Sequence, residues 1–370
     1  MRKFGNNLGI APWKIDHPIE RILEKAADKS EFGKCLYVKF YELFDRAYYV
    51  KGMSFIEKNI KLFVGDVSKK QKKAYVYDMV YALHRFGCMF DEYFLFNFPK
   101  LSTYGRDTFL TDKNRWAYYS KMNLDENKDL FTNKRKAYEV FKEYYNRELI
   151  ELTEDSDIEA FRDFVERHNR AIVKPIGGSG GKGCFIASVE DYESVDAMFA
   201  EIRKNGAVVI EELLSQSAEL ANLHPASLNT VRVPTIRLKD RVVVYRPFLR
   251  VGRGNSVVDN AASGGVFVPV DADTGICCAK GVDEFGNAYM MHPDSSIVFP
   301  GYQIPRWDEA VALVNKLAHV VEGNRYVGWD LALTDNGWVM VEGNPYGQFV
   351  IQIANQKGVK DEIEGYIAQM

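Results

Sequence analysis

The fold of this chain is decided by the stretch Gly328-Trp-Asp330-Leu-Ala-Leu-Thr-Asp-Asn-Gly-Trp-Val-Met-Val-Glu342-Gly-Asn344-Pro. Within it, Asp335-Asn336-Gly337 is typical of a hairpin turn, and the apolar residues on either side predict two paired strands. Such a hairpin brings Asp330 back beside Glu342. Asn344 follows two residues later and faces the same way, because side chains alternate along a strand.

These three side chains offer oxygen ligands for a cation. Carboxylate and amide oxygens suit Mg²⁺ better than they suit a metal held by thiolates or imidazoles. Two adjacent carboxylates would also repel one another unless a cation lay between them. A solvated turn with incidental acidic residues is the alternative, and this stretch alone does not decide between the two.

A glycine-rich loop lies upstream, between two apolar segments. The sequence Lys174-Pro-Ile-Gly177-Gly178-Ser179-Gly180-Gly181-Lys182-Gly183 contains five glycines within seven positions. Closely spaced glycines allow backbone N–H groups to approach an anion, so the segment predicts a strand, a phosphate-binding loop and a returning strand. It is not a Walker loop, because GxxxxGK[ST] is absent. A flexible hairpin without a ligand is the alternative.

The segment between these two motifs completes a recognisable order. An apolar strand ends in Glu211-Glu212-Leu213, where backbone groups could read a purine and a carboxylate could accept from ribose hydroxyls. Together with Lys134 in Thr-Asn-Lys-Arg-Lys, the motifs occur in an order that resembles the ATP-grasp superfamily of carboxylate–amine ligases and related enzymes. The resemblance covers about residues 125–350.

Further motifs resemble one branch of that superfamily. His224-Pro-Ala-Ser-Leu-Asn229-Thr-Val-Arg232, Val258-Asp-Asn260-Ala-Ala-Ser-Gly-Gly265 and Tyr104-Gly-Arg106 are similar to the sugar-transfer-associated ATP-grasp branch, found among bacterial surface-polysaccharide genes. The same pattern is more distantly similar to ligases that add glutamate to the C-terminus of a ribosomal protein.

The resemblance implies an α+β ATP-grasp fold in which two subdomains clasp ATP, and it implies roles for individual residues. Nucleotide-binding residues would be Lys134, Lys174, Gly178, Ser179, Gly180, Gly181, Glu211, Glu212 and Leu213. Mg²⁺ would be held by Asp330, Glu342 and Asn344, and Arg232, Arg250, His224 and Asn260 would lie around the reacting groups.

Two of these assignments depart from the broader superfamily or stay open. In the broader superfamily, an Arg often stands two residues before the first Asp that binds the metal. This chain has Gly328 at that position. We therefore expect the stabilising charge from Arg232, near the phosphate, with Arg250 near the substrate carboxylate. Ordinary strand-surface arginines are the alternative for both. His224 could contact phosphate or act as a base, or it could orient a loop.

Three regions are expected along the chain. Residues 1–125 carry aromatic-rich helical patterns, and their Tyr and Phe stripes favour a packed core over a surface that holds a large acceptor. This region departs from the superfamily, whose N-terminal domain is usually a βαβ layer. Residues 126–214 are expected to form the lid subdomain with the glycine-rich loop, and residues 215–370 the subdomain with the metal site.

The composition permits this interpretation and excludes others. The 370 residues, 46% of them hydrophobic, can bury two or three domain cores. With 48 basic against 51 acidic residues and no long basic block, nucleic acid is not an expected partner. Five cysteines without a CxxC pair favour the cytoplasm. The sequence shows neither a signal-peptide pattern nor an apolar run of about 18 residues, so no transmembrane segment is expected.

Three functions are compatible with these features. The first is an ADP-forming carboxylate–amine ligase that uses ATP and Mg²⁺ to join an amine to a small-molecule or glycan-precursor carboxylate, in surface polysaccharide or related biosynthesis. The second is a kinase or phosphotransferase on the same fold, for which His224 is the candidate base. The third is a non-catalytic nucleotide-binding protein. No sequence feature specifies an oligomeric state.

Overall fold

The computed structural model describes residues 17–44, 46–177, 182–256, 259, 264–347 and 349–370. The chain divides into two compact units. One, here the helical unit, contains the described residues within 1–119 and 348–369, and the other, the sheet unit, contains those within 120–347 together with Met370. The sequence predicts one subdomain over residues 126–214 and a second over residues 215–370, and this division stays a prediction.

The helices begin and end as follows: α1 Pro18–Ala27, α2 Glu31–Phe44, α3 Arg46–Phe63, α4 Lys69–Phe86, α5 Glu92–Leu95, α6 Thr103–Asp107, α7 Arg115–Met122, α8 Asp129–Thr132, α9 Lys134–Tyr145, α10 Ile158–Arg167, α11 Val195–Arg203, α12 Ala218–Ala221, α13 Trp307–Leu317, α14 Ile351–Asn355 and α15 Lys360–Ile367.

The strands are β1 Leu149–Leu152, β2 Arg170–Pro175, β3 Phe185–Ser188, β4 Val208–Glu212, β5 Thr230–Arg237, β6 Val242–Val244, β7 Phe248–Val251, β8 Val266–Pro269, β9 Gly281–Val282, β10 Ala288–Tyr289, β11 Tyr326–Thr334 and β12 Gly337–Asn344. None of the described helices is both long and apolar enough to cross a membrane.

Aromatic side chains form the interior of the helical unit, as their spacing predicted. Tyr37, Tyr81, Tyr93 and Phe98 are fully buried there. A partly buried polar cluster lies beside them, in which Asp78 on α4 accepts hydrogen bonds from Lys34 on α2, Arg106 on α6 and Tyr93 on α5. Four elements therefore share one carboxylate, and the Arg106 of the quoted sequence motif serves this packing.

The smaller sheet of the sheet unit is antiparallel, with strand order β1-β4-β2-β3. Its apolar face is covered by α10 and α11. Apolar residues recur every three or four positions along these helices, so Phe161, Phe164 and Phe199 pack with Val173 and Ile210 of the sheet. The glycine-rich segment connects β2 to β3, so the strands that flank it were predicted correctly.

The larger sheet has eight strands in the order β10-β9-β8-β7-β5-β11-β12, with β6 pairing onto β5. Every residue of β11 is buried, and Trp329 on this strand packs against Phe131 and Phe141. A polar side chain on so buried a strand must find partners within the protein. Asp330 is such a side chain.

Two strand predictions can be compared with the structure in detail. The predicted hairpin is present, with Thr334 opposite Gly337 and Asp330 opposite Glu342, and its returning strand continues as far as Asn344. The alternating pattern on either side of Lys239-Asp240 also predicts paired strands over residues 230–238 and 241–250. The second of these is divided into β6 and β7. The division falls at Arg246, which has a positive φ of 48°, and at Pro247, whose ring fixes its own φ and lacks an N–H for the ladder.

Candidate functional site

Four charged side chains lie in a row across the larger sheet. In the β-ladder, Asp330 on β11 is opposite both Glu342 on β12 and Arg232 on β5. Arg250 on β7 is opposite Thr230, two residues from Arg232 on the same strand. Directly opposite residues, and residues two apart on one strand, share a face of the sheet. The strand register therefore places both arginines and both carboxylates on one face of the sheet.

Asp330 forms the centre of this row. Its carboxylate accepts two hydrogen bonds from Arg232, one of them 2.7 Å from Nη2 to Oδ2, and one of 2.6 Å from Nη1 of Arg250. Only 2% of the residue is exposed. Burial alone would raise the pKa of Asp330, but the two guanidinium groups hold it well below its usual range. Asp330 is therefore ionised and fixed in orientation.

Arg250 is held from its other side by a second buried carboxylate. Its Nη2 donates to Oδ1 of Asp259 at 3.0 Å, and Oδ2 of Asp259 accepts from the backbone N–H and the hydroxyl of Thr230. Burial raises the pKa of Asp259, whereas Arg250 opposes that rise. Asp259 and Asp330 together leave the guanidinium of Arg250 with a single orientation.

The chemistry of Asp330, Glu342 and Asn344 fits the expected Mg²⁺ site. Desolvation by surrounding atoms and the neighbouring charge of Asp330 raise the pKa of Glu342, although 49% of its side chain is exposed. Arg232, whose Nη2 is 3.9 Å from Oε1 of Glu342, opposes that rise, and a bound cation would relieve the remaining repulsion. Nδ2 of Asn344 donates to Oε1 of Glu342 at 3.0 Å. Within the described ranges no three His, Cys, Asp or Glu side chains converge as metal ligands. Mg²⁺ commonly takes one or two carboxylates and completes its shell with substrate phosphates and water.

Two of the predicted nucleotide-binding lysines, Lys134 and Lys174, interact electrostatically. Lys134 is the first residue of α9, and its Nζ donates to the carbonyl of Pro175 at 2.8 Å. Desolvation lowers the pKa of Lys134, and the positive charge of Lys174 lowers it further, whereas Cys184 and Glu342 act in the opposite direction. Lysines from α9 and β2 thus share one electrostatic environment with the hairpin carboxylate Glu342.

Glu211 has two cationic partners in the structure. Its Oε2 is 2.8 Å from Nζ of Lys174 and 2.8 Å from Nε of Arg147, and only 3% of the residue is exposed. Burial would raise its pKa, but Lys174 and Arg147 lower the pKa of Glu211 to about 2. Of the neighbouring predicted residues, Glu212 accepts the backbone N–H of Glu148 at 3.1 Å, and Leu213 directly follows β4.

Five predicted site residues lie outside the described residues. They are Gly178, Ser179, Gly180 and Gly181 of the glycine-rich loop, and Asn260. The loop's described end includes Gly183, which has a positive φ of 72° and lies against Pro175, as a tight return between strands requires.

His224 occupies a buried loop network. Its Nδ1 is 2.9 Å from Oγ of Ser227, and its Nε2 is 2.9 Å from the carbonyl oxygen of Gly254. The Ser227 hydroxyl in turn donates to Asn229, whose amide group donates to the carbonyls of Leu220 and His224. Both ring nitrogens thus have protein partners, and this geometry favours the loop-orienting role over a base or phosphate ligand.

Arg147 and Asp259 were not among the predicted site residues. Asp259 lies inside a quoted motif, next to the selected Asn260, and could have been chosen because it is acidic and flanked by apolar residues. Arg147 stands alone between a helix and a strand, and no spacing in the sequence marks it. Its importance follows only from its burial and contacts.

A sequence model of the sugar-transfer associated ATP-grasp family matches residues 113–366, which is more than half of the chain. The chain belongs to this family. The predicted membership and the predicted α+β ATP-grasp fold are thereby confirmed.

Solved structures give more distant matches. The ATP-grasp ligase PsnB complexed with a minimal precursor is 17% identical, with 67% of this chain and 63% of that chain covered and a TM-score of 0.42. N5-carboxyaminoimidazole synthetase from Staphylococcus aureus is 14% identical, covering 62% and 48%, with a TM-score of 0.41. D-alanyl-alanine synthetase A from Vibrio cholerae is 11% identical, covering 62% and 65%, with a TM-score of 0.36. The matched regions span less than two thirds of each relative, and no curated protein matches this chain.

Proposed function

We propose that this protein is an ADP-forming carboxylate–amine ligase that uses Mg²⁺ and ATP, and that its acid or amine substrate is a precursor of a surface polysaccharide or a related glycan. The observation that carries the proposal is the row formed by Arg250, Arg232, Asp330 and Glu342 on one face of the sheet. Two cations for anionic oxygens and two carboxylates for a metal are the groups that carboxylate activation by ATP requires. The family's association with sugar transfer supports the polysaccharide context.

The proposed reaction has two steps. The carboxylate of the substrate attacks the γ-phosphorus of ATP, which gives an acyl phosphate and ADP. The amine then attacks the activated carbonyl, and inorganic phosphate leaves as the amide forms. Neither step needs a protein nucleophile, so the contribution of the chain is positioning and charge neutralisation.

The arginines suit the acid end of this scheme. Arg250 is oriented by Asp259 and Asp330, and Arg232 by Asp330. A guanidinium group that is fixed before the substrate binds loses little conformational freedom when it engages a carboxylate or a phosphoryl oxygen. We assign the substrate carboxylate to Arg250 and the transferred phosphoryl group to Arg232.

The nucleotide end would be formed by the lid motifs and the hairpin. Lys134 and Lys174 would contact the phosphates, and the glycine-rich loop would cover them. Mg²⁺ held by Asp330, Glu342 and Asn344 would supply neutralisation of the charge on the transferred phosphoryl group. Half of the Glu342 side chain is exposed, so its carboxylate is accessible to such an ion.

One observation separates this proposal from a kinase on the same fold. A kinase that acts on a hydroxyl needs a general base, and His224 is the candidate in the sequence. In the structure His224 is 3% exposed, and both of its ring nitrogens have protein partners. The ligase reaction does not need this base.

The test is turnover of Mg-ATP with hydroxylamine and a panel of sugar acids and amino acids, followed by mass spectrometry. Hydroxylamine captures acyl phosphates as hydroxamates. ADP together with a hydroxamate would support the ligase and identify the acid. ADP with a phosphorylated panel member and no hydroxamate would support the kinase instead. The matched control is Glu342→Gln, which removes the half-exposed carboxylate of the row and should strongly reduce either product while the protein stays folded.

A further inference from the structure

Arg147 connects the two sheets of the sheet unit through one guanidinium group. It lies between α9 and β1, and its side chain is 1% exposed. Nε donates to Glu211 on β4, whereas Nη1 donates to the carbonyl of Met340 at 2.7 Å and Nη2 to the carbonyl of Val341 at 3.2 Å, both on β12. The strand that carries Glu211 is thereby tied to the strand that carries Glu342.

Arg147 also shares an acceptor atom with Lys174. Both cations contact Oε2 of Glu211, each at 2.8 Å. Glu211 is ionised and almost fully buried, so it needs at least one cationic partner at all times, because an unpaired buried charge is strongly destabilising. Lys174 is the more exposed of the two partners, with 15% of its side chain accessible.

We propose that Arg147 is a positioning residue for nucleotide binding, which keeps Glu211 paired while Lys174 moves from Glu211 to the phosphates of ATP. The inference rests on the proposed function, since it takes ATP as the ligand of Lys174. Without Arg147, departure of Lys174 would leave the Glu211 charge buried and alone. Glu211 would then compete with the phosphates for Lys174, and ATP binding would weaken.

Glu211 has a different role in this proposal from the one expected from the sequence. If Glu211 contacts the nucleotide, as the sequence predicts, its loss should weaken ATP binding directly. If Glu211 instead restrains Lys174, an amide in place of the carboxylate should release the lysine. The two roles therefore predict opposite effects of Glu211→Gln.

The experiment measures the dissociation constant for Mg-ATP by calorimetry, without acid or amine, on the full chain. Arg147→Met should weaken ATP binding by at least about tenfold, because Glu211 then holds Lys174 as its cation. Glu211→Gln alone should bind ATP as tightly as the unmodified chain or more tightly. The double variant Arg147→Met with Glu211→Gln should recover most of the lost affinity.

The recovery separates positioning from a merely structural role. If Arg147 acted only by holding the carbonyls of Met340 and Val341, the double variant would stay as weak as Arg147→Met, and the inference would be overturned. Weaker ATP binding by Glu211→Gln alone would overturn it as well, in favour of a direct contact. Arg167→Met is the matched control, because it removes an exposed pair with Glu148 in the same region and should leave ATP affinity unchanged.

Two further outcomes keep the result interpretable. Thermal unfolding of each variant shows whether it folds. If Arg147→Met does not fold, Arg147→Lys is used in its place, because it keeps a charge near Glu211. Its affinity for Mg-ATP should be intermediate, and addition of Glu211→Gln should restore the affinity of the unmodified chain. If the unmodified chain binds ATP but the double variant shows no recovery, this inference fails and the proposed function stands. If the unmodified chain does not bind ATP, both fail.

Discussion

Gly328 on β11 lies beneath the side chain of Arg232 on β5. A Cβ atom at position 328 would be 3.0 Å from Cδ and 3.6 Å from Nη1 of Arg232. The arginine thus crosses the sheet over a residue without a side chain and reaches Asp330. The sequence predicted that Arg232 supplies the charge that many ATP-grasp proteins carry two residues before their first metal Asp. The geometry is compatible with that replacement, which stays a proposal.

The first prediction concerns this close approach. Gly328→Ala should lower the rate of ATP-dependent turnover by up to about tenfold, because Arg232 must shift by a few tenths of an ångström to accommodate the added methyl group, and a small misplacement of a catalytic group is costly. Steady-state kinetics would measure the change. Gly365→Ala is the control, since no atom lies within 4 Å of a Cβ placed there, and it should behave as the unmodified protein. Equal activity of both variants would show that Arg232 is not needed where the structure places it.

The second prediction concerns the metal site. Glu342→Gln should reduce Mg²⁺-dependent turnover strongly while it changes the free energy of unfolding by no more than about 0.5 kcal/mol, because the side chain is half exposed. Titration of turnover with Mg²⁺ and denaturant unfolding measure the two effects. Normal turnover at low Mg²⁺ concentration would remove Glu342 from the metal site.

Asp330→Asn should behave differently from Glu342→Gln. It leaves Arg232 and Arg250 without their shared buried carboxylate, and breaking a buried pair in this way costs about 3–5 kcal/mol. The variant should therefore lose both turnover and stability. Unchanged stability of Asp330→Asn would contradict the central place of Asp330 in the row.

The third prediction concerns the acid substrate. Arg250→Lys retains the charge beside Asp259 and Asp330 but loses the planar fork that matches a carboxylate. It should raise KM for the acid by about tenfold and leave KM for ATP within about twofold. Kinetics with each substrate varied in turn would check this. A similar rise in both KM values would show that Arg250 is not a specific contact of the acid substrate.

The fourth prediction concerns acid stability. Lys174 and Arg147 lower the pKa of Glu211 from 4.5 to about 2 in the folded protein. A carboxylate whose folded pKa is depressed stabilises the fold above its unfolded pKa, and this stabilisation is lost as the pH falls through the folded pKa. Between pH 4.5 and 2, the free energy of unfolding of Glu211→Gln should therefore fall less steeply than that of the unmodified protein. Parallel pH profiles for the two proteins would contradict the assigned ion pairs.

Much of the secondary structure could be predicted from local patterns in the sequence. The sequence pattern after Asn133 predicts a helix over residues 134–145. The structure has a helix with those bounds, because Asn133 caps its first turn and Asn146 ends it in the left-handed region. The hairpin that carries Asp330 and Glu342 was predicted from its turn and its alternation, and the structure contains it. Such features depend on neighbours in sequence, which a single chain displays. The register shift between Asp330 and Leu331 was not predicted, and it brings Asp330 opposite Glu342, where a regular ladder would place Val341.

Contacts between residues that are far apart in the sequence could not be predicted from local patterns. The pairing of Asp330 with Arg250 joins residues 80 positions apart, and that of Arg147 with Glu211 joins residues 64 positions apart. The sequence suggested that both Arg232 and Arg250 serve the site, but it gave no sign that Asp330 orients them. Arg147 follows no periodic pattern, so its role as a partner of Glu211 could be seen only once the sheets were in place.

In the proposed reaction the substrate carboxylate is activated by transfer of the γ-phosphoryl group of ATP. Once the hydroxamate experiment has identified the acid, this step is tested with that acid carrying ¹⁸O in its carboxylate, together with the amine and unlabelled Mg-ATP. If an acyl phosphate forms and the amine displaces phosphate, each turnover transfers one ¹⁸O atom from the acid to inorganic phosphate, which mass spectrometry detects. Unlabelled phosphate formed alongside the amide would contradict the proposed reaction.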